Sequence, residues 1–120
     1  MTLRLIGYWS GGIGDNSGWP DVADYVDPAY SEEERQDVGL YLRHGLVAKA
    51  YMGRSPCRLC DKHDNGSLEL TDGTYIWPEG LAHYVLDHGV RLPQVFAEHV
   101  ERSEEAMDDV EVDSSWWRDR

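Results

Sequence analysis

A chain of 120 residues and 13.7 kDa has the size of one domain, which most often spans about 100–150 residues. Its formal net charge of −12 argues against a nucleic-acid reader, because holding a phosphate backbone rests on Lys and Arg displacing counterions. No stretch approaches the roughly 20 apolar residues of a membrane-spanning helix. Residues 1–9 lack the apolar centre and small-residue cleavage site of a signal peptide, so a cytoplasmic location is expected.

Residues 3–9 read as a short strand from their β-branched and aromatic content. Residues 10–20 form a loop with Gly11, Gly12, Gly14 and Gly18. The glycines lack the Gly-x-Gly-x-x-Gly order, and neither Lys-Ser nor Lys-Thr nor a helix pattern follows. This is a surface loop, not a phosphate cradle. Residues 21–30 hold Val22, Ala23, Tyr25 and Val26, enough for one helical turn before Pro28.

Ser31 to Glu34 spells a capping box, in which the Ser31 hydroxyl accepts the Glu34 amide and Glu34 reaches back. Glu32, Glu33 and Glu34 suit the positive end of that helix. Val38, Tyr41 and Leu42 give its apolar stripe, and Gly45 fits a left-handed stop. Residues 46–52 alternate Leu46, Ala48, Ala50 and Met52 against Val47, Lys49 and Tyr51, a strand period. Residues 67–70 and 74–77 flank Thr71-Asp72-Gly73 as a hairpin, with Gly73 free to take positive φ.

Trp77 should be extended before Pro78, and Pro78 suits the first position of a helix over residues 79–88. Leu81, Tyr84 and Val85 share one face of it, and Gly89 ends it. Pro93 opens a last helix with Val95, Phe96, His99 and Val100 inward. From Glu101 the pattern thins into acids that offer little apolar surface to offset ordering. The expected fold is α+β: one globular domain over residues 1–100, with a small antiparallel sheet and about three helices. A partly flexible acidic tail over residues 101–120 carries Trp116 and Trp117.

Chemistry concentrates around the hairpin. Cys57 and Cys60 precede it, and His83 and His88 lie on the helix after it. Two thiolates and two imidazoles are the ligand set of a tetrahedral zinc ion. A disulfide across so short a loop would constrain little unfolded chain, and under reducing conditions this spacing reads as metal or redox chemistry. On an ideal helix of about 100° per residue, His83 and His88 sit roughly 140° apart. They converge if the last turn tightens or ends, which Gly89 allows.

Other ligands stay open: Asp87 at i+4 from His83, His63 near the cysteines, and His99. So does a metal-free core in which the thiols are small buried hydrophobes. A redox dithiol lacks the strand-then-helix surroundings of a thioredoxin-like motif. His99, on an apolar stripe, reads better as a packing histidine, and His44 as the residue at a helix C-terminus.

Taken together, residues 57–88 run Cys-x-x-Cys, hairpin, helix, His-x4-His, and resemble the ββα zinc-finger and treble-clef-like zinc families. The resemblance covers about a quarter of the chain and implies a structural zinc held by Cys57, Cys60, His83 and His88. The chain departs from these families in the 22 residues between Cys60 and His83 and in a helix opened by Pro78. The run from Trp77 to Val85, with Asp87 to Pro93, looks like small bacterial proteins without an assigned activity. That likeness implies a shared fold and no function.

Four protein ligands fill a tetrahedron and leave no position for substrate or activated water. The expected function is therefore non-enzymatic: zinc locks the fold, and an acidic surface engages another protein. Residues 1–60 carry 6 basic and 8 acidic side chains, residues 61–120 carry 5 and 15. Such a field favours a basic partner, in a regulatory, antitoxin or immunity-like role, with no oligomeric state implied.

The alternative is a metal-dependent hydrolase or nuclease with one open metal position and Asp61, Asp87 or Glu79 as general base. Against it, residues 61–90 set Lys62 alone against six acids. Reading of DNA by the helix is disfavoured too, since residues 79–84 hold no Arg, Lys, Asn or Gln for base edges.

Overall fold

The computed structural model describes residues 2–11, 15–51 and 53–120. Gly12 and Gly14 of the glycine loop, and Met52 at the end of the expected strand over residues 46–52, lie outside them. The elements in chain order are β1 (Arg4–Leu5), a 3-10 turn (Val22–Tyr25), α1 (Glu32–Arg43) and β2 (Leu46–Ala50). They continue with β3 (Leu68–Thr71), β4 (Tyr75–Pro78), α2 (Leu81–His88), α3 (Gln94–Asp108) and α4 (Ser115–Arg118). The α+β class expected from the sequence is the one observed.

Four strands make one sheet in the order β1-β4-β3-β2. β2, β3 and β4 run antiparallel, whereas β1 joins β4 in parallel through Arg4↔Tyr75 and Leu5↔Ile76. The sheet is thus mixed rather than wholly antiparallel. Parallel pairing needs a long crossover, and α1, β2 and β3 all lie between the two partners. β1 is also shorter than residues 3–9. Gly7 ends it at φ 81°, where an added Cβ would press into the Leu81 side chain.

α1 starts where its cap places it. Ser31 is extended, and its hydroxyl accepts the Glu34 amide at 3.2 Å. The reciprocal half of the box does not form: the Glu34 carboxylate turns to Arg91 at 3.5 Å. His44 is the residue that closes α1, as its position suggested.

Gly45, by contrast, has no positive φ and is not the left-handed stop expected there. Its smallness serves packing, because an added Cβ would lie 2.7 Å from the Trp77 ring. Trp77 is fully buried and donates its Nε1–H to the Leu42 carbonyl at 3.1 Å. Glycine at position 45 lets the indole slide under the end of α1.

β2 starts at Leu46 as expected but ends at Ala50, leaving Tyr51 outside it, and all five of its residues are exposed. It is the sheet's outer strand, and its alternation therefore buries neither face. The hairpin forms as expected, with Gly73 at φ 93°. Asp72 accepts amides from Thr74 and Tyr75 at 2.9 and 2.8 Å. Burial alone would raise its carboxyl pKa, yet the Tyr41 hydroxyl, these amides and His99 together hold it below the ordinary value.

α2 begins at Leu81, two residues later than expected. Pro78 closes β4 opposite Glu69 instead of opening the helix. The Glu79 carboxylate is then free to accept the Ser67 and Leu68 amides at 2.7 and 3.2 Å. Gly89 does take the left-handed stop, φ 64°.

In α3, Phe96 and Val100 are buried, and His99 packs against Tyr75 with its Nε2 2.7 Å from Asp72. Val95 is 53% exposed, contrary to its expected inward position, since it falls on the side of the helix away from Phe96. The helix persists to Asp108, through the region where the apolar pattern thins. Trp116 and Trp117 stack on one another in α4, 6.2 Å apart at 25°.

The core lies between the sheet and the helices. Trp77, Phe96, Leu42, Leu81, Val85 and Val90 are its fully buried side chains, each contributing about 1.5–3 kcal/mol by leaving water. Among the described residues no helix is long and apolar enough to cross a membrane.

Candidate metal centre

The chain reaches the cysteines through a pinched loop. The Ser55 amide donates to Gly66 O at 3.0 Å, the Asn65 amide to Ser55 O at 2.7 Å, and the Cys57 amide to Lys62 O at 2.8 Å. These bonds close residues 57–62 into a tight knuckle. Inside it the Leu59 amide points at Cys57 Sγ, 3.4 Å away.

Two contacts seat the knuckle on α2. The Arg58 amide donates to the Tyr84 hydroxyl at 2.8 Å. The Asn65 side chain, buried, donates to Gly80 O at 3.3 Å. Gly80 must be glycine here, because an added Cβ would collide with the Asn65 backbone. Burial raises the pKa of Tyr84 above that of a free phenol, so its hydroxyl stays protonated beside the cysteines.

On the helix side, His83 and His88 have left ideal helical divergence. Their rings stand 4.9 Å apart and perpendicular, because His88 is the last residue of α2 and Gly89 releases the turn. Cys60 Sγ lies 3.3 Å from His83 Nε2, and Cys57 Sγ lies 3.5 Å from His88 Nε2. All four ligand atoms lie within 4.8 Å of one another.

A tetrahedral ion with Zn–S near 2.3 Å and Zn–N near 2.0–2.1 Å has S···N edges of about 3.5 Å. The Cys57–His88 and Cys60–His83 distances, 3.5 and 3.3 Å, lie close to that length. The four side chains could therefore hold one metal ion.

The competing ligands are placed elsewhere. Asp87 is not in the cluster: its Oδ2 takes the His83 Nδ1–H at 2.8 Å. That bond fixes the tautomer, leaving the Nε2 lone pair toward the sulfurs, as carboxylates behind metal-bound histidines do. His63 is exposed and outside the cluster, and His99 belongs to the Asp72 contact. Both cysteines are free thiols rather than a disulfide. Burial, then the neighbouring His83, lowers the pKa of His88, which keeps its ring in the neutral form that ligates.

Sequence reasoning missed Tyr84, Asn65 and Gly80 as supports of the site. In the sequence Tyr84 reads only as part of the apolar face of α2, and its hydroxyl gives no separate signal. Cys57 is buried while Cys60 is exposed, so the cluster opens to solvent on the Cys60 side. Comparison of the chain with family models, with curated proteins and with solved structures finds no match in any of the three.

Proposed function

We propose that Cys57, Cys60, His83 and His88 bind one structural zinc ion, and that the protein is a non-catalytic module that engages another protein. The observation that carries this reading is the pair of S···N edges at 3.3 and 3.5 Å, the spacing of a closed S2N2 tetrahedron. Two sulfurs and two imidazoles favour zinc among common divalent ions. A filled tetrahedron has no place for a reacting water, so the ion ties the knuckle to α2 and does no chemistry. The net charge of −12 favours a basic protein as the partner, in a regulatory, antitoxin or immunity-like role.

Metal analysis of protein purified without added zinc tests the first half: one zinc per chain is expected, with most of it lost in Cys60→Ser. Absence of metal together with unchanged stability after chelation would refute it. For the second half, pull-down with and without residues 101–120 is informative, and equal recovery would rule out a tail-mediated contact.

One observation favours the hydrolase alternative. A hollow of about 440 Å³ beside His83 is lined by Arg43, Arg54 and Lys62 as well as Asp64 and Glu79. Three cations there would suit an anionic substrate. This reading requires a water on the metal, and phosphodiester cleavage that stops on chelation would establish it over the closed site.

A further inference from the structure

Acidic side chains are absent from one stretch of this chain. Residues 38–60 contain no Asp or Glu, yet hold Arg43, Lys49, Arg54 and Arg58. β2 lies in the middle of that stretch and at the sheet's edge. It pairs with β3 on one side and, among the described residues, with no strand on the other. Leu46 is 73% exposed and Val47 61%. Such an edge presents unpaired backbone N–H and C=O groups to any further strand. Glu69 stands opposite Lys49 in the ladder and Arg54 pairs with Asp64 at 3.3 Å. Arg43 and Lys49 make no ion pair among the described residues.

The same chain carries a segment that fits this edge. Residues 109–113 read Asp-Val-Glu-Val-Asp, a strict two-residue alternation. As a strand, the segment would set Asp109, Glu111 and Asp113 on one face about 6.8 Å apart, with Val110 and Val112 on the other. Residues 111–113 belong to no helix or strand, and Val110 and Val112 are 55% and 88% exposed. α3 continues past Val100, its last buried residue, to Asp108, adding about 12 Å of largely solvent-facing helix before the segment.

We infer that residues 109–113 of one copy add as a strand to the open edge of β2 in a second copy, each copy donating to the other. Segment and edge strand are each five residues long, one acidic and the other bare of acids. Backbone bonds supply the affinity of strand addition. Val47 and Lys49 stand opposite Leu70 and Glu69, on opposite faces of the sheet across the irregularity between them. Apolar contact of Val110 and Val112 with Val47 on one face therefore adds to it, as does attraction between the acids and Lys49 on the other. A reciprocal exchange closes with two-fold symmetry and forms the contact twice. The net −12 opposes self-association over most of the surface, and the acid-free edge is where that repulsion is relieved.

Light scattering of the full chain gives its mass in solution, and amide hydrogen exchange reads the protection of β2. The expected result is a dimer with slowed exchange at Val47 to Ala50. Val112→Pro removes an N–H at an exposed position outside any helix and should weaken the dimer at least about tenfold; Lys49→Glu should weaken it in the same direction. Both variants should keep the wild-type metal content, which separates this inference from the metal centre. A monomer with fast exchange along β2 would overturn it. So would a dimer indifferent to Val112→Pro, and so would a monomer whose β2 protection is lost in that variant, since the chain's own tail would then be the occupant.

Discussion

Asp87 offers no atom to the cluster, yet its carboxylate decides how His83 is presented. With Nδ1–H held at 2.8 Å, the ring cannot flip or change tautomer without breaking a charge-assisted bond. Asp87→Asn should leave the fold intact and lower zinc affinity about 10–100-fold, the range for loss of such a partner, measured by competition with a chromophoric chelator. An unchanged affinity would show that packing alone orients the ring.

A second residue-scale prediction concerns Asp72, whose folded pKa lies below 3.8. A depressed carboxyl pKa contributes stability that is complete above the unfolded value and disappears as pH falls through the folded one. Asp72→Asn should therefore be less stable than wild type at neutral pH. The gap should close as pH drops below 3.8, the ordinary value. A gap that stays constant down to the acid limit would assign the loss to geometry instead of charge.

At the scale of elements, two glycines separate two physical roles. Gly89 sits at φ 64° and ends α2, so Gly89→Ala should cost about 1–2 kcal/mol of left-handed strain and weaken the meeting of His83 with His88. Gly45→Ala faces the Trp77 ring at 2.7 Å and should cost about 1–3 kcal/mol through overpacking while leaving metal affinity near wild type. Thermal unfolding with a parallel zinc titration distinguishes them.

The same pair shows what a sequence can and cannot say. Periodicity and capping placed α1, the hairpin, α2 and α3, because those signals are local. Gly45 looked like a helix stop because its other role depends on an indole 32 positions away. Pro78 looked like a helix start because nothing local reveals its pairing with Glu69. The four clustered side chains were legible from residue type and spacing. Tyr84 and Asn65 were not, since their contacts exist only once the knuckle is folded onto α2.

Across the whole molecule, an ion held by Cys57, Cys60, His83 and His88 would join a loop to a helix that otherwise meet through few bonds: Arg58 to Tyr84, Asn65 to Gly80, and the core contact of Cys57. Binding that occurs only in the folded state adds directly to stability. Chelation should accordingly lower Tm and speed amide exchange over residues 55–66 first, with Trp77 and Phe96 still buried. The sheet and the α1–α3 core have their own apolar burial and should persist when such an ion is removed. The claim on which the rest turns is a closed S2N2 shell, and X-ray absorption at the zinc edge of the purified protein reads that shell directly. The account predicts two sulfurs at about 2.3 Å and two nitrogens at about 2.0–2.1 Å. A shell containing a water oxygen, or fewer than two sulfurs, would contradict it.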